Sequence, residues 1–485
     1  MKKTRYSLVS LVLAIMIGNI SCDDYLDFQP EAEIPAEEFF IDEADAEAAL
    51  WSCYGVLSHW DIYGGQSYLA STMVPSDDAI CFGYGPLYVF ENFTFGPNNG
   101  MLKAIYRNRY QSINLSNQLI TNLPDIPLSE GKRNTLEGEA RFLRALHYFE
   151  LTRFFGDIPI VLSPSDAEEA NLRRPLEEVY EIIYQDLQFA YDHLPASWPA
   201  NEKGRATRWS AAAFMAKLYL YKKEWNEVLN WTNDIINNSG HDLFTAEGLN
   251  SFYQLFRVEQ ENNIESIFEA QSNGIEGNPD GISYGRQYGQ VIGPIPWGWG
   301  NVVPTDVLAG AFDAEEDTIR KKVTILYSGD VTMDGDTINT DPNAVPTVKP
   351  ARYCGKVYVP IRVNPESPTI RVAEQNVRLM RFAEVLLMNA EAAAQTGGDA
   401  ATPLNMVRAR VGLPAISSPT LQDVYKERRL ELATENERYF DLIRTGRAEE
   451  VLGKYGFVVG KHELFPIPEN EIELTNGLLT QNPNW

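Results

Sequence analysis

Disulfide frameworks and zinc sites need cysteine and histidine, and this sequence has little of either. Its 485 residues include four cysteines without a C-x-x-C pair, and five histidines without an H-E-x-x-H pattern. This scarcity excludes a disulfide-rich scaffold and the common zinc-hydrolase motif. The fold must therefore depend on burial of apolar residues, which make up 44% of the chain, a normal share for a globular core.

Positively charged residues are also scarce in this sequence. The chain has 41 lysines and arginines against 67 aspartates and glutamates, for a formal net charge of -26. A surface this acidic repels the phosphates of nucleic acids, and it argues against an anionic polysaccharide as well. The composition therefore excludes nucleic acid as a partner and favours a neutral ligand.

The sequence also has few long apolar runs. The apolar run at 8–17 follows three positive residues but is too short to cross a bilayer, which takes about 20 residues, so it fits a cleaved signal peptide. A serine precedes Cys22, as lipoprotein processing requires, although Asn19 stands where an aliphatic residue is usual. We predict a lipoprotein signal peptide over residues 1–21 and a lipid on Cys22. The alternative is an ordinary signal peptide with a chance cysteine.

The predicted mature chain is a soluble body on a lipid anchor, because no later segment is long and apolar enough for a transmembrane helix. Residues 1–21 carry three positive charges and no acidic residue, so their removal lowers the formal net charge from -26 to -29. An acylated Cys22 leaves Cys53, Cys81 and Cys354, which allow at most one internal disulfide.

Amphipathic helices are what the sequence has in abundance. Apolar residues recur at helical spacing between capping residues, prolines and glycines. This pattern predicts helices over 134–155, 175–194, 207–220, 224–236, 378–394 and 421–444. The short-turn pairs among them resemble tetratricopeptide units, which repeat about every 34 residues and bury their faces by stacking. We interpret the arginines and glutamates within 134–155 as salt-bridging residues.

Three segments lack the helical pattern. Residues 60–100 and 271–304 are rich in glycine and aromatic residues, and residues 323–363 alternate β-branched residues around an M-D-G-D turn. The last of these predicts a small β-hairpin. Asp334 and Asp336 in its turn lack the full calcium-loop pattern, so we expect a solvated turn and no metal. Long excursions on a rigid scaffold are common places for binding sites.

A series of motifs in fixed order resembles the SusD/RagB family of outer-membrane lipoproteins from Bacteroidota. They are D-D-Y-L-D-F-Q-P (23–30), E-A-R-F-L-R-A-L-H-Y-F-E-L-T-R-F-F-G-D-I-P (139–159), R-P-L-E-E-V-Y-E-I-I-Y-Q-D-L (174–187), G-R-A-T-R-W-S-A-A-A-F-M-A-K-L-Y-L-Y (204–221), R-L-M-R-F-A-E-V-L-L-M-N-A-E-A (378–392), N-M-V-R-A-R-V-G-L-P (405–414), E-R-R-L-E-L-A-T-E-N-E-R-Y-F-D-L-I-R (427–444) and the closing Q-N-P-N-W. Two departures are Asn436, where the family usually has glycine, and Thr445, where tryptophan is frequent.

The resemblance implies a SusD-like fold: mainly α, with tetratricopeptide-like helix pairs in a right-handed superhelix, long irregular loops and a small β-hairpin region. It implies an N-terminal helical part over 22–240 and a C-terminal part over 241–485 with ligand loops and closing helices. It also implies a cell-surface glycan-binding lipoprotein on the extracellular face of the outer membrane. Such a protein captures an oligosaccharide or polysaccharide and delivers it to a SusC-like TonB-dependent β-barrel, with no cofactor.

Sugar recognition needs flat aromatic faces and planar polar side chains, which the loops supply in two clusters. The candidate ligand residues are Trp297, Trp299, Tyr284, Arg286 and Tyr288 in one cluster, and Trp60, Tyr63, Tyr84, Tyr88, Asp77 and Asp78 in the other. The alternative for each tryptophan is a packed anchor. Adjacent carboxylates seldom span the about 5–10 Å that glycoside hydrolysis requires, so we interpret Asp77 and Asp78 as hydroxyl acceptors or turn residues.

Three other functions remain as alternatives. A RagB-like lipoprotein would bind a peptide, and a pure interaction module would use its helices to dock a protein. A helical glycosidase or lyase is the third alternative, but it would need an acid–base pair in a cleft. The sequence offers no distinctive catalytic motif, and we therefore predict that the protein is not an enzyme.

Overall fold

The computed structural model describes residues 39–164, 171–246, 251–272, 298–338, 351–363 and 375–485. The predicted signal peptide and Cys22 lie outside these residues. So do four candidate ligand residues, Tyr284, Arg286, Tyr288 and Trp297. The predictions made on them stay predictions.

Helices dominate the described residues. They are α1 (Glu43–Gly55), α2 (Gln66–Thr72), α3 (Tyr88–Glu91), α4 (Gly100–Asn122), α5 (Glu130–Phe155), α6 (Leu176–His193), α7 (Arg208–Lys222), α8 (Trp225–Asn238), α9 (Ser251–Leu255), α10 (Asp306–Ala314), α11 (Thr318–Thr324), α12 (Phe382–Thr396), α13 (Ala401–Arg410), α14 (Leu421–Glu431), α15 (Arg438–Arg444), α16 (Ala448–Leu452) and α17 (Glu469–Leu474). Neighbours pack in series, α4 with α5, α5 with α6, α6 with α7, α7 with α8, and α8 with α12. The predicted mainly α fold of paired helices is confirmed.

Local signals in the sequence fix the ends of the central helices. The Thr207 hydroxyl accepts a hydrogen bond from the Ser210 amide and so caps α7, as predicted. Lys223 takes a left-handed conformation with a φ of 59° and turns the chain directly into α8. Gly156, with a φ of 72°, ends α5. The helices predicted over 134–155, 175–194, 207–220 and 224–236 are confirmed, with ends shifted by a few residues.

Two C-terminal helices were predicted too long. Residues 377–381 form a strand, so the helix predicted from Arg378 begins at Phe382. The helix predicted over 421–444 breaks after Glu431, because Thr434 and Asn436 have left-handed φ values of 65° and 68°. Asparagine tolerates this conformation better than most residues other than glycine, which explains how it stands at a position where the family usually has glycine.

Within the described ranges, three two-stranded antiparallel sheets lie between the helices. Their strands are β1 (Ala79–Cys81), β2 (Ser266–Ala270), β3 (Val302–Pro304), β4 (Ile325–Tyr327), β5 (Arg352–Cys354) and β6 (Val377–Arg381). They pair as β1 with β3, β2 with β6, and β4 with β5. The β4–β5 pair confirms the small β-hairpin region predicted within 323–363. The β1–β3 and β2–β6 sheets, in contrast, join segments more than 100 residues apart in sequence.

One apolar core runs through both predicted parts of the chain. It contains Leu143 of α5, Leu387 of α12 and Tyr439 of α15, each fully buried. Cys53, Cys81 and Cys354 are buried free thiols. Among the residues that the structure describes, no helix has the length and apolar character needed to span a membrane.

Candidate functional site

The β1–β3 ladder brings Trp299 of one predicted aromatic cluster near the segment that carries Tyr84 and Tyr88 of the other. Cys81 pairs with Val302, and the Phe82 amide donates to the Asn301 carbonyl at 2.7 Å, which extends the ladder by one residue. In an antiparallel pair, the chain leaving one strand lies beside the chain entering the other. The segment that leads to Tyr84 therefore emerges at the same end as the segment that carries Trp299.

Trp60 and Trp299 form an aromatic pair at this place. Their ring centroids are 6.3 Å apart and the rings are tilted by 50°. Trp299 is 40% exposed and Trp60 is half-buried. Two indoles from segments about 240 residues apart in sequence thus share one surface, which we call the Trp60–Trp299 surface.

The loop that carries Trp60 is held in one conformation by Asp61. This carboxylate accepts hydrogen bonds from the Ser67 hydroxyl at 2.5 Å and from the Asn108 side chain of α4 at 2.9 Å. Gly65 closes the loop so tightly that a Cβ there would lie 2.7 Å from the Trp60 carbonyl oxygen. These three anchors had no recognisable signal in the sequence, because an isolated aspartate, asparagine or glycine occurs in any loop.

Tyr84 and Tyr88 are exposed, at 38% and 41%, on the segment that follows β1. Tyr84 is fixed through its backbone, because its carbonyl accepts from the Cys81 thiol at 3.1 Å. Tyr63, in contrast, is 1% exposed, with the Arg109 guanidinium 4.8 Å from its ring centroid. The structure thus places two of these three tyrosines at the surface and one in the interior.

Asp77 and Asp78 lie in the interior, where two arginines bind them. Arg429 bonds both carboxylates, at 2.8 Å to Asp77 and 2.5 Å to Asp78, and Arg438 bonds Asp77 at 2.7 Å. Burial works against ionisation of Asp77, but the two arginines outweigh it and lower its pKa. These carboxylates attach the segment before β1 to the helices α14 and α15. Because Asp77, Asp78 and Tyr63 are buried, we leave them out of the proposed ligand surface.

The charged residues of α5 form ion pairs, as predicted. Arg141 pairs with Glu137 at 2.6 Å and Arg153 with Glu150 at 2.9 Å. Other α5 residues bridge to neighbouring elements instead, since Arg144 pairs with Asp186 of α6 at 2.8 Å. The arginines of this helix are structural.

The turn with Asp334 and Asp336 is not simply solvated, contrary to our expectation. The Asp334 carboxylate accepts from Arg362 Nε at 2.9 Å, and the Asp336 carboxylate accepts from the Ile361 amide at 2.8 Å and from the Tyr358 hydroxyl. Protein donors thus occupy both carboxylates. Across the described ranges, no three side chains of His, Cys, Asp or Glu are arranged to hold a metal ion.

A cleft of about 720 Å³ lies behind the loop that carries Trp60. His59 and Ile62 of that loop line it, together with one face of α4 and residues around α17. Its lining mixes aliphatic side chains such as Leu115 and Leu474 with Tyr106, Tyr110 and polar residues of α4. The cleft is therefore a neighbour of the Trp60–Trp299 surface that contains tyrosines but no tryptophan.

Comparison with known proteins gives matches over nearly the whole chain. The family described as "Starch-binding associating with outer membrane" matches residues 24–220, and the SusD family matches residues 264–485. A SusD-like protein P2 from Formosa agariphila is 28% identical, with 100% of both chains covered. A SusD-like protein from Bacteroides ovatus is 26% identical over 90% of this chain and 81% of that protein.

Solved structures show the same fold. A laminarin-binding SusD-like protein superposes with a TM-score of 0.78 at 28% identity, covering 92% of this chain and all of the other. Surface glycan-binding protein A from Bacteroides thetaiotaomicron also gives a TM-score of 0.78, at 23% identity over 92% of this chain and all of that one. The helix pairs, the β-linked loops and these matches define an outer-membrane-associated SusD-like protein. The chain belongs to the SusD/RagB family.

Proposed function

We propose that this protein is a glycan-binding protein that takes a neutral oligosaccharide or polysaccharide at the Trp60–Trp299 surface. The observation that carries the proposal is the pairing of these two indoles, 6.3 Å apart and both accessible to solvent. The apolar C–H face of a sugar ring stacks on an aromatic face of this kind. Two tilted indoles suit a chain of sugars that turns from one ring to the next.

Exposed tyrosines and a rigid loop add to the case. Tyr84 and Tyr88 lie on the segment next to Trp299 and offer hydroxyl groups beside further aromatic faces. The Asp61 anchor holds Trp60 before a ligand arrives, so less conformational freedom is lost on binding. Trp297, Tyr284, Arg286 and Tyr288 precede Trp299 in the sequence, and we propose that they complete the surface.

The charge of the protein supports a neutral ligand. The chain carries a formal net charge of -26, which disfavours acidic polysaccharides. The laminarin-binding SusD-like protein, with 28% identity over 92% of this chain, suggests laminarin as the first polysaccharide to test.

We further propose that the protein is anchored by a lipid on Cys22 at the extracellular face of the outer membrane. There it would deliver its glycan to a SusC-like TonB-dependent β-barrel without changing it chemically. The family description, "Starch-binding associating with outer membrane", and the signal-peptide pattern before Cys22 support this proposal. Acyl chains add about 0.8 kcal/mol of membrane affinity per buried CH₂.

Affinity gel electrophoresis tests the binding site. The wild-type protein should be retarded in gels that contain laminarin or another neutral polysaccharide such as soluble starch, and Trp60→Ala/Trp299→Ala should run nearly unretarded. The matched control is Trp231→Ala, since Trp231 is a half-buried tryptophan of α8 that packs on Tyr191 at 5.0 Å. This control should be retarded like the wild type.

Two results would overturn the function proposal. Binding of a peptide mixture with no retardation by any polysaccharide would favour the RagB-like alternative. Release of shorter sugars from a bound polysaccharide, detected by chromatography, would show an enzyme. Normal retardation of the double variant would keep glycan binding but place it away from the Trp60–Trp299 surface.

Cys22→Ala tests the anchor. The variant should leave the membrane fraction while keeping its glycan affinity, because the acyl chains supply the membrane affinity. If it stays on membranes from cells that lack the barrel, the lipid proposal is wrong. Co-purification of the wild-type protein with a TonB-dependent barrel from solubilised outer membranes tests the partner.

A further inference from the structure

A second exposed tryptophan lies on the outer face of α1. Ala46, Leu50 and Cys53 of this helix face the core and are fully buried, whereas Trp51 is 49% exposed. Its position follows from helical periodicity, since the residue next to Leu50 points about 100° away from it. A half-exposed indole on a helix leaves an aromatic face accessible to a ligand.

Arg205 fixes Trp51 beside a second indole. The Arg205 guanidinium carbon lies 5.3 Å from the ring centroid of Trp51 and 4.1 Å from that of Trp198. Glu139 holds this guanidinium at 2.6 and 3.0 Å, and the Trp198 ring nitrogen donates to the Ala206 carbonyl at 2.8 Å. The two indoles are therefore attached to one immobile arginine.

Polar groups surround the exposed part of Trp51. Glu47 stands one helical turn before it, with one carboxylate oxygen 3.6 Å from Arg205 and the other 2.5 Å from the Lys132 ammonium. The Tyr54 ring lies 5.8 Å away from that of Trp51. The Glu47 carboxylate and the Lys132 ammonium beside an accessible indole are groups of the kind that bind sugar hydroxyls and a sugar face. The Tyr54 hydroxyl is not among them, because it donates to Glu139 at 2.6 Å and accepts from the Ala206 amide at 2.8 Å.

A small recess continues this surface on the far side of Trp198. It measures about 160 Å³ and is lined by Trp198, Lys203, His241 and Asn262 among others. The cation–π contact with Arg205 and the hydrogen bond to Ala206 account for Trp198 as a structural residue. They do not account for the half of Trp51 that stays exposed.

We propose that Trp51, together with Trp198 and Glu47, forms a second glycan-contacting surface, separate from the Trp60–Trp299 surface. This inference rests on the proposed glycan-binding function and extends it to a second site. The ligand class is again a neutral glycan, because Glu43, Glu47 and Glu202 around the indoles disfavour an anion. The rigid mounting of both rings lowers the entropic cost of binding.

The chain itself limits the distance between the two surfaces. Trp51 and Trp60 are nine residues apart in sequence, so their Cα atoms are separated by at most about 30 Å. Binding at the first surface raises the local concentration of the same chain at the second. A long polysaccharide should therefore bind more tightly than a short oligosaccharide that fills one surface.

The test compares a polymer with a hexasaccharide on the full-length protein. The probes are laminarin and laminarihexaose, or soluble starch and maltohexaose if starch is the polysaccharide that retards the wild type. Trp51→Leu keeps apolar cover over Arg205 but removes the aromatic face, so its unfolding temperature should match that of the wild type. We expect it to lower the affinity for the polymer by about tenfold and to reduce the number of bound hexasaccharides by one in calorimetry.

A combined variant separates the second site from the first. Trp60→Ala/Trp299→Ala should retain weak binding of the polymer. Adding Trp51→Leu to this double variant should abolish the remaining binding. If Trp51→Leu binds both probes like the wild type, and the double variant has no residual binding, the second surface is wrong while the proposed function stands. A wild-type protein that binds no polysaccharide overturns the proposed function, and this inference falls with it.

If Trp51→Leu is unstable, Trp51→Phe replaces it in the test. Trp51→Phe should keep both stability and affinity. Loss of polymer affinity in a stable Trp51→Phe protein would overturn the stacking role.

Discussion

Two regions of this molecule use similar side chains in opposite ways. At the Trp60–Trp299 surface, two indoles pair with each other and keep part of their area in solvent, with Trp299 40% exposed and Trp60 half-buried. Behind the C-terminal helices, arginines and glutamates are buried and satisfy one another. The comparison teaches that residue type alone does not assign a role, because burial decides whether a polar or aromatic group serves the fold or a ligand.

The buried region is a network of charges around Arg381 and Glu431, here called the charge network. Arg381 bonds Glu265 at 2.5 Å and Glu431 at 3.0 Å. Glu431 also receives Arg410 at 2.5 Å and Arg320 at 3.2 Å. These residues come from α11, α13, α14, β6 and, for Glu265, the position just before β2, so the network joins elements that the sequence separates. Burial opposes ionisation of Glu431, but the surrounding arginines outweigh it and hold its pKa well below the usual range.

The difference predicts which property each region controls. Removing one member of the charge network leaves its partners buried and uncompensated, so the cost falls on stability. Removing an exposed indole leaves nothing uncompensated in the protein, so the cost falls on ligand affinity. Substitutions in the two regions should therefore separate stability from binding.

The largest expected effect is that of Glu431→Gln. The substitution removes the charge that Arg381, Arg410 and Arg320 share, and it should lower the free energy of unfolding by about 3–5 kcal/mol. Urea unfolding followed by circular dichroism measures this loss. The control is Glu178→Gln, which breaks an exposed pair with Arg174 at 2.6 Å and should cost less than about 1 kcal/mol. Equal losses in the two variants would contradict the distinction between the regions.

The next largest effect is on acid stability, through Glu384. Burial disfavours its charge, yet Lys217 at 3.1 Å and Arg428 at 2.8 Å more than offset this and lower its pKa from 4.5 to about 2. A carboxylate with a depressed pKa in the folded state stabilises the fold above its unfolded pKa and loses this contribution as the pH falls. Unfolding free energy should thus decline between about pH 4.5 and 2, by roughly 3 kcal/mol from this group.

Glu384→Gln supplies the check on that pH dependence. The variant should be less stable at neutral pH, and its urea midpoint should fall less steeply between pH 4.5 and 3 than that of the wild type. Parallel pH profiles for the two proteins would show that Glu384 does not titrate in this range.

The sequence predicted much of the scaffold but only the general location of the site. Capping residues and apolar periodicity predicted helices α5 to α8 correctly, because these signals are local: Thr207 caps α7 and Gly156 ends α5. The same signals predicted a helix at Arg378, which instead lies in β6. This strand pairs with residues more than 100 positions earlier, and the pattern of one segment does not show its partner. The same limit hid the pairing of Trp60 with Trp299 and the burial of Asp77 and Asp78, because both depend on the β1–β3 ladder and on arginines of α14 and α15.

The third effect falls on the aromatic surface. Trp299→Ala should lower glycan affinity by about tenfold, equivalent to about 1.4 kcal/mol. The free energy of unfolding should change by less than about 1 kcal/mol, because Trp299 lies at the surface and is 40% exposed. Calorimetry with the retarding polysaccharide and urea unfolding measure the two quantities. A variant that loses stability but keeps affinity would show that Trp299 is a packed anchor.

The smallest effect, and the sharpest test of loop geometry, is that of Gly65→Ala. Its φ of -162° suits any residue, so the backbone conformation itself adds no strain. The new Cβ would lie 2.7 Å from the Trp60 carbonyl oxygen and 3.2 Å from its ring, and the loop must shift to relieve the contact.

This shift should move Trp60 relative to Trp299 and lower glycan affinity by about threefold, with about 1 kcal/mol lost in stability. Gly55→Ala is the matched control, because a Cβ there meets nothing within 4 Å and alanine suits a helix end with a φ of -58°. It should bind like the wild type and be equally stable or slightly more so. A loss of stability in Gly65→Ala would show that the loop around Trp60 has shifted. If the affinity is nevertheless unchanged, the position of Trp60 does not govern binding. The ligand surface would then centre on Trp299 and the segment before it.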